Sequence, residues 1–253
     1  MENLPGTSRH WLLLLILCVA SMITHAQGKK WHYIVEPYIL FPNMHGTIGL
    51  GNLPDADIDE NPGDIFNHLQ LGAMLYAEAT NNKWTISSDL LYMDLGEDVT
   101  SSSIISSGDV DARQLGWEVD GLYKVLPWLD VGAGAILNAI KSEANLTVNS
   151  PTGPSELNRE ISKTWVDPAL VARAMFPLDK WLFQLRGNIG GFGLGSDLAW
   201  QLQGYATYRF SNLFMLTAGY RVFNIDYSSG SGQDRLLYDV TTFGPVIKFG
   251  FNF

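Results

Sequence analysis

Residues 197–210, Asp-Leu-Ala-Trp-Gln-Leu-Gln-Gly-Tyr-Ala-Thr-Tyr-Arg-Phe, alternate between two kinds of side chain. The even-numbered positions carry apolar and aromatic residues such as Leu198 and Trp200, whereas polar residues such as Gln201 and Gln203 occupy odd-numbered positions. Successive side chains of a β-strand point to opposite faces, so this period of two predicts a strand with one apolar face. The run is longer than the about 5–6 residues of an ordinary strand, and long enough for the about 9–11 residues that cross a membrane at a tilt.

The same alternation recurs along most of the chain and predicts an all-β protein. We expect an antiparallel up-and-down transmembrane β-barrel of about ten strands, with eight as the alternative if two weak segments are mispaired. A barrel is expected because every backbone N–H and C=O group in lipid must be paired within the protein, which an open sheet edge prevents. The ten predicted strands are 31–41, 66–80, 84–95, 113–125, 128–141, 164–176, 181–190, 197–210, 213–227 and 236–253.

The connections between these segments alternate between short and long. The short ones are 81–83, 126–127, 177–180 and 211–212, and the longer ones are 42–64, 96–112, 142–163, 190–196 and 228–234. Short periplasmic turns and longer external loops are typical of outer-membrane barrels. Aromatic residues favour the membrane–water boundary, and one opens each segment beside a short turn, which predicts a girdle there. These residues are Trp31, Trp84, Trp128, Trp181 and Phe214.

Residues 1–26 have the features of a secretory signal peptide, which leaves 27–253 as the barrel domain. A basic residue, Arg9, precedes a short apolar run, and a small residue, Ala26, marks the expected cleavage site. Lipidation at Cys18 is an alternative that the large Leu17 before it disfavours. Cleavage removes this cysteine, the only one in the chain, so the mature protein has no disulfide and no thiolate metal site.

The charge and the carboxyl end restrict the partners. The net charge of −10 argues against a nucleic-acid partner, which requires basic patches. Aromatic and apolar residues alternate with small and polar ones over 243–253, and the chain ends on Phe253. We expect this terminal strand, and Phe253 in particular, to be the assembly signal that the barrel-assembly machinery recognises.

Several stretches in order along the chain resemble a family of small outer-membrane barrel proteins of Gram-negative bacteria, of OmpA/OmpW-like size and with a closing C-terminal Phe. The resemblance implies residence in the outer membrane, in contact with its lipid and lipopolysaccharide, and implies no particular activity. The stretches are Glu36-Pro37-Tyr38, 46–49, 64–69, 190–197, Gly219-Tyr220-Arg221, Asp226-Tyr227, 238–241 and Gly244-Pro245, followed by the closing Phe.

Charged residues are numerous on the face opposite the predicted lipid face. The lumen of an eight- to ten-stranded barrel is narrow, and unpaired charges inside it are costly, so acid–base pairs are expected there. We predict a structural charge network that makes the protein a closed structural or surface-interaction barrel, with a narrow channel or a binder of a small solute as the alternative. The predicted members are Glu36, Glu118, Asp120, Asp130, Asp167, Arg173, Arg186, Arg209, Arg221 and Lys248, and Glu78, Asp89 and Lys124 share the same face.

The predicted loop 42–64 is acidic. Asp55, Asp57 and Asp59 have the spacing that opens a calcium-binding loop, but Glu60 stands where glycine is needed and Phe66 where the bidentate glutamate belongs. The pattern favours a solvated acidic loop. Divalent cations that bridge this loop to lipopolysaccharide phosphates are the alternative.

An enzyme is not expected. Barrel enzymes of the rim-histidine type pair a histidine with an acid or a serine, and only His32, His45 and His68 follow the signal peptide. His45 or His68 with Asp57 or Asp64 is conceivable, but no spacing demands it. The glycine-rich 190–195 lacks the Lys-Ser/Thr of a phosphate loop. We therefore predict no catalytic residue, no cofactor and no metal site.

Overall fold

The computed structural model describes residues 31–52, 54–98, 105–150 and 153–253, which contain twelve β-strands and one short α-helix. The predicted signal peptide lies outside these residues. No described helix is long and apolar enough to cross a membrane. The elements are β1 (His32–Leu40), β2 (Asn43–Leu50), β3 (Ala56–Glu60), α1 (Pro62–His68), β4 (Leu69–Thr80), β5 (Trp84–Asp98), β6 (Ile105–Leu126), β7 (Leu129–Ser150), β8 (Gly153–Leu178), β9 (Trp181–Gly190), β10 (Leu198–Arg209), β11 (Phe214–Ser229) and β12 (Leu236–Asn252).

Ten of these strands form a closed antiparallel barrel. From β4 onward each strand pairs with the next along the chain, β1 pairs with β4, and β1 also pairs with β12 to close the cylinder. The closing register runs from Ile34 opposite Asn252 to Leu40 opposite Val246. The predicted up-and-down barrel of ten strands is therefore confirmed, and the alternative of eight is wrong.

The outward face of the barrel is apolar, and much of the inward face is polar. On β10, the outward Trp200 is 36% exposed and the inward Gln201 is 6% exposed. A soluble barrel has the opposite arrangement, so an apolar outer surface indicates a barrel that lies in lipid. Outward side chains on three strands illustrate the belt: Phe183, Leu185, Ile189, Leu198, Trp200, Leu202, Ile247, Phe249 and Phe251.

The four short turns lie at one end of the barrel, here called the turn end, and the long connections lie at the opposite loop end. Aromatic rings follow one another around the turn end, as the sequence predicts. Trp181 contacts Tyr208, Tyr208 contacts Phe210, and Phe214 contacts Phe251, with ring centroids 4.9, 4.8 and 5.9 Å apart. Trp84 packs similarly on Tyr123 and Trp128 on Phe176.

Two predicted loops are largely strand. The described parts of 96–112 and 142–163 lengthen β6 and β7 to 22 residues and β8 to 26. Polar residues occupy both faces there, because both faces of a strand beyond the membrane can meet water. The alternation therefore fades while the backbone pairing continues.

The predicted loop 42–64 is also structured, and it contains β2, β3 and the start of α1. β2 keeps the register of β1 along β12, and β3 folds back on β2. Gly46 is required where β2 meets β12, because a Cβ there would collide with the carbonyl oxygen of Asp239. Asn61 and Asp64 form a capping box that starts α1, so β4 begins at Leu69 rather than at residue 66.

Candidate functional site

The inward-facing charges form an extended set of ion pairs, here called the lumen network. Its members are Glu36, Glu78, Asp89, Glu118, Asp120, Asp130, Arg173, Arg186, Arg221 and Lys248, and nearly all are buried. The period of two places them inside the barrel, and the packing of opposite walls brings them within bonding distance.

Arg173 on β8 forms the part of the lumen network nearest the turn end. Its Nη2 donates to Asp130 Oδ2 at 2.7 Å on the neighbouring β7, and its Nη1 donates to Glu78 on β4. Nη2 also lies 3.4 Å from Thr85 Oγ1 on β5. Because β4 and β5 do not neighbour β8, these bonds cross the lumen.

Arg186 on β9 lies between two carboxylates of β6. Its Nη2 donates to Glu118 at 3.0 Å and also to Asp120. Its Nη1 reaches Ser87 Oγ on β5 at 3.3 Å. Glu118 also accepts a hydrogen bond from the Asn188 amide at 2.6 Å, so a neutral donor as well as Arg186 stabilises its carboxylate.

Arg221 on β11 connects opposite walls of the barrel. Its Nη1 lies 3.2 Å from Asp89 on β5 and donates to the Tyr38 hydroxyl on β1 at 2.9 Å, and that hydroxyl donates to Asp89 at 2.7 Å. Its Nε donates to Gln201 Oε1 at 2.6 Å, and Gln201 Nε2 donates to Glu118 at 3.1 Å. Gln201 therefore joins the Arg221 and Arg186 groups into one network.

Lys248 on β12 is held mainly by aromatic rings. Its Nζ lies 4.4 Å from the ring centroid of Tyr76, 4.5 Å from that of Tyr205 and 5.2 Å from that of Tyr38. Glu36 supplies the carboxylate, 4.0 Å away. Cation–π contacts strengthen when they are removed from water, as they are here. The search for charge pairs in the sequence did not predict that these three tyrosines surround Lys248. The alternation of side chains along their strands places them on the inward face and could have indicated it.

Three inward charges of the sequence lie outside the lumen network. Arg209 is exposed at the turn end, and in the described parts of the chain neither Arg209 nor Lys124 has an ion pair. The predicted role of Arg209 in the network is therefore wrong. Parity gives the correct face, but Arg209 ends β10, beyond the level of the buried acids.

Asp167 is buried, and its carboxylate is bound by neutral hydrogen-bond donors rather than by a cation. It accepts hydrogen bonds from Ser196 N at 2.5 Å, from Ser196 Oγ and Asn138 Nδ2 at 2.8 Å each, and from Trp165 Nε1 at 3.1 Å. It lies six residues from Arg173 along β8, which is roughly 20 Å of strand. Its predicted place in the lumen network is wrong, and it instead fixes the glycine-rich turn between β9 and β10.

Cavities lie on both sides of the lumen network. The inner cavity, of about 220 Å³ at the turn end, is lined by Glu78, Arg173 and Arg209 among others. The outer cavity, of about 360 Å³ at the loop end, shares no lining residue with it. A smaller cavity of about 50 Å³ lies beside Glu118 and Arg221 and has room for ordered water.

The acidic residues of 55–64 do not converge on one point. Arg235 binds Asp55 through two hydrogen bonds of 2.7 and 2.9 Å, which lower the pKa of the Asp55 carboxyl from its ordinary value. Asp57 accepts from Thr47, and Asp64 caps α1. Within the described ranges, no group of three or more His, Cys, Asp or Glu residues is placed to hold a metal ion.

The loop-end histidines each lie beside a carboxylate. His45 Nδ1 is 3.7 Å from Asp59, and His68 Nε2 is 3.7 Å from Glu97. These acids differ from the nearby aspartates that the sequence suggested. Both pairs are solvated.

No protein-family model matches the sequence, and no curated protein matches it. Solved structures with a similar architecture include Ail, the attachment invasion locus protein of Yersinia pestis, at 11% identity and a TM-score of 0.38, covering 89% of this chain and 100% of that one. The outer-membrane protease OmpT of Escherichia coli matches at 9% identity and a TM-score of 0.49, covering 91% and 99%. The toluene transporter TodX of Pseudomonas putida matches at 11% identity and a TM-score of 0.38, covering 92% of each chain.

Proposed function

We propose that this chain is an integral outer-membrane protein whose lumen is closed to ions, and that its role is structural or is exerted through its external surface. The lumen network carries this proposal. The apolar outer face supports insertion in lipid, and the short turns support an orientation with the turn end in the periplasm.

Closure follows from the bonds that cross the lumen. Arg173, Arg186 and Arg221 each reach strands that do not adjoin their own, so their side chains fill the space between opposite walls. Ten strands enclose little more than their own side chains, whereas aqueous porin channels need about 16–18 strands. Moving any of these arginines aside would leave buried carboxylates uncompensated, which costs about 3–5 kcal/mol.

The remaining roles belong to the same proposal. We infer contact with lipid and lipopolysaccharide around the belt, recognition of Phe253 by the barrel-assembly machinery, and no catalytic activity. The histidines are solvated, and the acids and bases of the lumen network are occupied with one another. Divalent cations between lipopolysaccharide phosphates and the outward Asp57 and Asp59 remain part of this proposal.

Conductance in planar lipid bilayers tests the closure. The wild-type protein should show no steady current. The variant Arg186→Ala/Glu118→Ala/Asp120→Ala, confirmed as folded by its heat-modifiable gel mobility, should also stay closed because the bonds of Arg173 and Arg221 still cross the lumen. Open events should appear only when these two arginines and their carboxylates are replaced as well. Reproducible channels from the wild-type protein would refute closure and favour the narrow channel.

A further inference from the structure

The outer cavity differs chemically from the rest of the lumen. One wall comes from β2, β3 and α1, the opposite wall from β5, β6 and β7, and β12 completes it. Most of its lining is apolar, in contrast to the charged network deeper in the barrel. Six of the side chains that make it apolar are Met44, Ile48, Ile58, Ile65, Leu95 and Ile140.

An apolar lining inside this part of the barrel is not required by the membrane. The lipid belt needs apolar residues on the outward face only, and the inward face of a barrel is usually polar. Apolar surface left against water costs about 25 cal/mol per Å² relative to burial. A cavity of about 360 Å³ lined in this way is therefore suited to an apolar occupant.

The charged residues beside the cavity narrow the class of occupant. Arg113 Nε lies 3.1 Å from Asp94, and Lys141 is bound to Glu143 and lies 3.1 Å from Glu160. Successive side chains of a strand alternate between faces, so these ion pairs lie on the outward face, and their inward neighbours are Gln114 and Ile140. The inward charge of the described lining is Glu60, which is exposed, so an acidic ligand would find no cation inside the cavity.

We propose that the outer cavity binds an uncharged, apolar small molecule. An apolar protein cavity of about 150 Å³ binds benzene, so this larger one suits a molecule of two fused rings or a compact hydrocarbon of similar size.

A latch holds the wall of this site in place. The Arg235 guanidinium binds the Asp55 carboxylate, which ties the start of β3 to the start of β12. The Arg235 carbonyl also accepts a hydrogen bond of 2.8 Å from Gly51 N, at the end of β2. These two contacts add to the pairing of β2 with β12 from Asn43 to Leu50, and they hold the connection between β2 and β3 against the start of β12.

Photolabelling of the protein in lipid nanodiscs with 3-phenyl-3-(trifluoromethyl)diazirine, a small uncharged probe, tests the site. Mass spectrometry should find label on the outward belt, which contacts lipid, and also on the lining of the outer cavity. Ala56→Trp, which fills the cavity from β3, should abolish the cavity label and leave the belt label. Asp57→Trp places the same ring on the opposite face of the same strand and should leave both labels.

Three outcomes would overturn the proposal: belt label without cavity label in the wild-type protein, cavity label that survives filling, or cavity label only from a phospholipid with the diazirine at the end of its acyl chain. The last result would assign the cavity to a lipid chain. If Ala56→Trp does not fold, Ala112→Trp fills the cavity from β6. Conductance is measured separately, so a labelled but conducting protein would refute closure of the lumen and leave this site standing.

Discussion

Replacement of Arg186 by methionine is the sharpest test of the lumen network. Arg186 is 2% exposed and holds Glu118 and Asp120, both also buried. Methionine fills much of the same volume but leaves two neighbouring carboxylates without their cation. Loss of one partner of a buried ion pair costs about 3–5 kcal/mol, or roughly two to three and a half orders of magnitude in the ratio of folded to unfolded protein.

Reversible urea unfolding in lipid vesicles, followed by tryptophan fluorescence, measures this cost. The control is Arg209→Met, which removes an exposed arginine and should change the free energy of unfolding by no more than about 0.5 kcal/mol. Arg186→Met/Glu118→Gln/Asp120→Asn should regain most of the loss, because no unpaired charge remains. A single Arg186→Met variant as stable as Arg209→Met would refute the account of the network.

Two further predictions concern the ends of the barrel. Deletion of Phe253, which is 66% exposed at the turn end, should slow insertion as judged by heat-modifiable gel mobility, whereas Phe192→Ser at the loop end should not; equal rates would remove the assembly role. Because its pKa is lowered in the folded protein, Asp55 stabilises the latch above its ordinary pKa of 3.8, and this contribution is lost as the pH falls through the lowered value. At neutral pH and at about pH 5, the amides of β3 should therefore be better protected from hydrogen exchange in the wild-type protein than in Asp55→Asn, and this difference should vanish in stronger acid. Equal protection in the two proteins at neutral pH would contradict the latch.

The sequence predicts the barrel well because membrane strands carry a strong period of two. Parity alone places Gln201 inside and Trp200 outside, as the structure shows. Parity does not give the height of a residue along the barrel axis, and for this reason Arg209 and Arg186, both inward by pattern, have different surroundings. Pairing across the lumen depends on strand tilt and register, which no local pattern contains.

The elements beyond the lipid are the least predictable. The β2–β3 hairpin has polar residues on its outward face, and its apolar face meets the interior of the barrel rather than lipid. Its sequence therefore resembles that of an acidic loop. The capping box of Asn61 and Asp64 was a usable signal for α1, since Pro62 and Asp64 stand at the positions typical of a helix start.

The inward face of β12 supports the proposal that the outer cavity is a ligand site rather than the mouth of a pore. Lys248 lies in the lumen network, and toward the loop end the buried inward residues include Val246, Val240, Tyr238 and Leu236, with Thr242 the polar one among them. A water-filled vestibule that leads to an ion pathway would favour polar side chains at these positions, because each buried apolar residue gains only when it packs on another apolar group. Here the charges are concentrated in the part where they pair across the lumen, and the apolar residues in the part that β2, β3 and α1 cover. The lumen is thus divided into a polar half, where charges pair across it, and an apolar half at the loop end, which is where we propose that a ligand binds.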